Sequence, residues 1–67
     1  MTTDLVLMIF KTHTGEWLSA TRMRAIVSAI SGADVPLKNV KQAITRLNKQ
    51  GRVMRSKTAS AWMIFEG

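Results

Sequence analysis

Residues 36–65, PLKNVKQAITRLNKQGRVMRSKTASAWMIF, decide how this chain is read. Leu37, Val40, Ile44 and Leu47 recur at helical spacing and form one apolar stripe, and Gly51 supplies a residue able to end a helix in the left-handed conformation. A helix is therefore predicted from Pro36 to Gln50, with Pro36 at the first helical position, where its missing N–H would have had no partner anyway. Past Gly51 the pattern changes. Arg52–Ser56 and Ala61–Phe65 are rich in strand formers and flank the polar Lys57-Thr58-Ala59-Ser60, which predicts a β-hairpin with a basic tip.

The net charge of the chain belongs to the same stretch. Ten Lys and Arg against four Asp and Glu give +6 on 67 residues. Residues 1–37 balance Lys11, Arg22 and Arg24 against Asp4, Glu16 and Asp34, whereas residues 38–67 set Lys38, Lys41, Arg46, Lys49, Arg52, Arg55 and Lys57 against Glu66 alone. At about 100° per residue, the face opposite the apolar stripe collects Lys38, Asn39, Gln42, Thr45, Arg46 and Lys49, with Lys41 at its flank. A solvated helix ordinarily mixes Glu with Lys for i, i+4 pairing, and this one carries no carboxylate. Unrelieved repulsion of that kind points to a polyanionic partner. Arg and Lys can bond guanine edges or phosphates, and Asn39 and Gln42 can present the paired donor and acceptor that adenine offers in the major groove. The plainer alternative is a polar face that is merely solvated.

Upstream, Ser19 is placed to cap a helix over residues 20–31, in which Met23, Ile26, Val27 and Ile30 make the apolar face and Gly32 the stop. Ala33–Pro36 then reads as a turn. Glu16-Trp17-Leu18 reads as a brief extended segment that pairs with the hairpin, with Trp17 and Trp62 packing across the resulting sheet. A first helix is predicted over about residues 3–13. Thr2 and Thr3 are its capping candidates, Asp4 lies in its first turn, Lys11 and His13 in its last, and Gly15 ends it. His13 reads as a helix-terminal side chain in preference to a ligand or proton-transfer group. Residues 5–10 are all apolar, more than one helix face can bury. Some of Leu5, Leu7 and Met8 are therefore expected to stay outside the core, with Met54, Met63 or Phe65 as neighbours, as a candidate homodimer interface.

Several function classes are disfavoured. One His, no Cys, no Tyr and four dispersed acids assemble no acid/base pair, nucleophile dyad or metal cluster, so the chain is expected not to be an enzyme and to need no cofactor or metal. The run Leu5–Phe10 is far shorter than the roughly 20 residues that cross a bilayer, which argues against a membrane span. It follows Asp4 instead of a basic segment, which argues against a secretory signal. The apolar first helix and the basic third helix are separate elements, which argues against an interfacial membrane binder. Residues 1–67 are read as one mature domain, and the lack of cysteine fits a reducing cytoplasm.

The pattern Val40-x-x-Ala43-Ile44-x-x-Leu47-x-x-x-Gly51-x-Val53 resembles the recognition helix and first wing strand of winged helix-turn-helix transcription regulators, in the style of small bacterial or phage proteins. The order of elements along the whole chain is similar too. The resemblance implies an α+β fold of three helices, with a short strand after the first and a C-terminal hairpin wing. It implies a double-stranded DNA-binding regulator whose helix 36–50 enters the major groove and whose wing 52–65 lies on the backbone or minor groove. Lys38, Asn39, Lys41, Gln42, Thr45, Arg46 and Lys49 would then face the groove. Arg52, Arg55 and Lys57 would serve the wing, and Thr21 and Arg22 would approach a phosphate. Pro36 stands where that family often has a Ser or Thr cap. This leaves open by a residue or two where the third helix begins, and so which of Lys38 and Asn39 faces bases. A second reading keeps the fold and changes the partner: an interaction module docking on an acidic protein surface of a transcription or nuclease complex.

Overall fold

The computed structural model describes residues 2–64. Along the chain come α1 (Thr2–Thr12), β1 (Leu18–Ser19), α2 (Ala20–Ser31), α3 (Leu37–Lys49), β2 (Val53–Arg55) and β3 (Ala61–Ile64). The three strands form an antiparallel sheet in the order β1-β3-β2, with Leu18 opposite Trp62 and Val53 opposite Ile64. This is a winged-helix topology, as the order of elements implied. Phe65 and Glu66, assigned above to the hairpin and to the charge balance, lie outside the described residues. No described helix is long and apolar enough to cross a membrane.

Helix α2 begins and ends where its local chemistry requires. The Ser19 side chain accepts a hydrogen bond from the Arg22 N–H at 3.1 Å, and Gly32 closes the helix at φ 69°, its N–H bonded to the Ser28 carbonyl. Helix α3 ends in a Schellman motif. The Arg52 N–H donates to the Leu47 carbonyl and the Gly51 N–H to that of Asn48, each at 3.0 Å, with Gly51 at φ 74°. The Asn48 amide then donates to the Val53 carbonyl at 3.1 Å, which ties the end of α3 to the first wing strand. A Cβ at Gly51 would meet nothing within 4 Å, so only the backbone resists a side chain there. Gly51→Ala is accordingly expected to destabilise the fold by about 1–2 kcal/mol, measured by urea unfolding. An unchanged midpoint would show that the glycine is not required.

The core is Val6, Ile9 and Phe10 of α1, Leu18 of β1, Met23 and Val27 of α2, Val40, Ala43, Ile44 and Leu47 of α3, and Val53 of β2, with Ala20 at its margin. Trp62 and Ile64, on the same face of β3, cover it from the sheet side.

Several sequence expectations are corrected. The short strand is Leu18–Ser19, not residues 16–18, and Trp17 is 47% exposed, so Leu18 takes the inward place expected of the tryptophan. Neighbouring residues of an extended chain point to opposite faces, and only one of the two can enter the core. Ile30 is 54% exposed and Ile26 half-buried, because α2 seats itself on Met23 and Val27. Leu37 too is only half-buried, and Ala43 is buried in α3 beside the expected stripe. Thr2 and Thr3 are helical residues of α1, not caps outside it. Leu5 and Leu7 pack partly against the core, which leaves Met8, 46% exposed, as the apolar excess of α1. Pro36 is extended (ψ 140°) and is the N-cap without a side-chain bond, so α3 starts at Leu37; Gln50 is its C-cap. Ser56 begins the hairpin loop instead of ending β2. His13 and Gly15 both lie beyond α1, Gly15 at φ 84° in the turn closed by the Glu16 N–H on the His13 carbonyl. The His13 ring turns back on the helix end, with Nδ1 2.9 Å from the Ile9 carbonyl.

Candidate nucleic-acid interface

Helix α3 is held between the core and solvent by its own periodicity. Val40, Ala43, Ile44 and Leu47 are buried, while Lys38, Asn39, Lys41, Gln42, Thr45, Arg46 and Lys49 are all exposed. Lys38, Lys41, Gln42, Thr45, Arg46 and Lys49 share one continuous concave surface along the helix. With the start fixed at Leu37, Lys38 lies on this central surface. Asn39 lies on the flank, where Gln42 and Arg46 meet Thr2, Thr3 and Asp4 of α1. Asp4 therefore borders the basic face, a neighbour that no feature of the third helix signalled.

The entry to α3 is fixed by α2. The Val35 carbonyl accepts from Arg24 Nε at 2.9 Å, and the Val35 N–H donates to Ser28 Oγ at 3.2 Å. Arg24 also pairs with Asp34 at 2.8 Å, the one salt bridge among the described residues. Exposed pairs of this kind stabilise little. What matters here is that Arg24 is engaged, whereas no base from Lys38 onward has a carboxylate partner among those residues.

The other flank of α3 meets the wing. A groove of about 450 Å³ runs between the start of α2, α3 and the hairpin, and Thr21, Lys41, Thr45, Arg55, Ser60 and Trp62 line it. Four of the sequence-predicted residues, Thr21, Lys41, Thr45 and Arg55, are thus brought together. Arg22 is exposed on the first turn of α2 but does not line this groove. Arg52 is exposed just past the glycine that ends α3, and Lys57 sits at the hairpin tip in a separate shallow surface with Arg55 and Ser60. The tip has internal order, since Ser56 Oγ accepts from the N–H groups of Thr58 and Ala59, each at 3.2 Å. Trp62 and Ser60 were not anticipated at the site. The available signal was the pairing of Arg55 with Trp62, which follows from the hairpin register and not from either residue alone.

Leu5 and Met8 line a separate apolar depression with Val27 and Val35. Comparison with protein-family models, curated proteins and solved structures finds no match to this chain.

Proposed function

We propose that this protein is a double-stranded DNA-binding transcription regulator that lays α3 in the major groove and its β2–β3 hairpin on the adjacent backbone or minor groove. The observation that carries the reading is the carboxylate-free basic face of α3, exposed along its length and continuous with the wing through the Lys41–Arg55 groove. Gln42 lies at the centre of that face and is the proposed base reader, with Arg46 beside it. Lys38, Lys41 and Lys49 supply charge to phosphates, as do Arg52, Arg55 and Lys57 from the wing side.

Selection of bound duplexes from a random pool at two salt concentrations tests this. If about five phosphates are neutralised, log K falls with log salt at a slope of about −4 to −5. Gln42→Ala is expected to flatten the preference between selected and scrambled duplexes while leaving that slope nearly unchanged. A shallow slope with no sequence preference would overturn the proposal. A stoichiometric protein partner that survives nuclease treatment would, together with that result, replace it with an acidic-surface docking module.

A further inference from the structure

Arg55 and Trp62 stand directly opposite each other in the β2–β3 pairing, and the Arg55 guanidinium carbon lies 5.9 Å from the centroid of the indole. The ring is itself fixed, because Trp62 is half-buried against the core and is paired on its other side with Leu18. Arg55 is exposed and has no carboxylate partner among the described residues. Its groove holds a second cation, Lys41, and the hydroxyl residues Thr21, Thr45 and Ser60, with no acidic residue. A long cationic side chain free in solvent loses substantial rotamer entropy when it engages a ligand, and one already laid across an aromatic face loses less.

We infer that Trp62 is a positioning residue. It holds the Arg55 guanidinium over the groove shared with Lys41, so that wing and α3 grip the same phosphate of a nucleic-acid backbone. The phosphate rests on the function proposed above, whereas the positioning of Arg55 does not. Although Trp62 also lines the groove, its role in this proposal is exerted through the arginine.

The experiment compares wild type, Trp62→Phe, Trp62→Leu, Arg55→Ala and the Trp62→Leu/Arg55→Ala double variant. Two readouts are used: affinity for a selected duplex, and the proton resonances of the Arg55 side chain in the free protein. In the free wild type those resonances are expected to be shifted upfield by the indole ring current, and to return to ordinary values in Trp62→Leu. Arg55→Ala is expected to weaken duplex binding about eightfold, the share of one phosphate contact near 0.1 M salt. Trp62→Leu is expected to weaken it about threefold in wild type, and not measurably in the Arg55→Ala background. Trp62→Phe keeps an aromatic face in the core and is expected to recover most of the loss. Equal losses from Trp62→Leu in both backgrounds would reduce the tryptophan to a packing residue, and unshifted Arg55 resonances in the wild type would overturn the positioning outright. If the wild type bound no duplex, the proposed function would fall, and the resonances of the free protein would still decide the arginine's position.

Discussion

Lys41→Glu/Arg46→Glu is expected to bind duplex DNA on the order of a thousandfold more weakly than the wild type near 0.1 M salt. Each neutralised phosphate contributes a factor of about 8 to the binding constant at that ionic strength, so removing two contacts weakens binding about 60-fold. Reversing the two charges adds repulsion and carries the loss well past that figure. Both side chains are exposed, on the two sides of the Gln42–Thr45 surface, and neither makes a described salt bridge. The thermal unfolding midpoint is therefore expected to move little, which separates lost binding from lost structure. Fluorescence anisotropy with a labelled selected duplex, beside a circular dichroism melt, reads both quantities. A loss under about tenfold with an intact melt would place the binding surface elsewhere on the molecule.

What was legible beforehand is what local chemistry determines. The end of α3 depends on Gly51, both ends of α2 on Ser19 and Gly32, and the exposed face of α3 on a period that places every base opposite Val40, Ile44 and Leu47 or on the flank. None of these needs a distant residue. Element ends moved by a residue at Thr2, His13, Pro36 and Ser56, whereas the choice of which side chains enter the core did need one. Whether Trp17 or Leu18 enters the core depends on a partner strand more than 40 residues away. Which of Leu5, Leu7 and Met8 stays outside the core, left open by the run of apolar residues, depends on the helices that pack around α1, and it is Met8 that is most exposed.

The same holds for the site. The basic face of α3 could be drawn on a helical wheel, but its two flanks could not be told apart. One borders Asp4 and Thr3 of α1, the other Arg55 and Trp62 of the wing. Those borders are tertiary, and they distinguish Asn39 from Lys41, two residues that composition treats alike as polar positions on one helix. Arg24 is a parallel case. Counted among ten bases it is one unit of charge, but in the fold its guanidinium is spent on Asp34 and on the Val35 carbonyl.

The one-residue difference at β1 carries the largest consequence for stability. Leu18→Ala is expected to cost about 2–5 kcal/mol, because the side chain is 1% exposed and its removal leaves a cavity where the sheet meets the helices. A chain of this length has a total stability of about 3–10 kcal/mol, so that single truncation brings it close to unfolding at room temperature. Trp17→Ala removes a much larger side chain, yet nearly half of its surface is in solvent, and the expected cost is under about 1 kcal/mol. Residue volume alone ranks the two the other way, which makes the pair diagnostic. Urea unfolding of both variants gives the ranking directly. If Trp17→Ala were the more damaging, the indole would be the inward residue, and β1 would meet β3 one residue out of the Leu18–Trp62 register. That slip would also remove Leu18 from beside Trp62, and with it part of the support that holds the ring beneath Arg55.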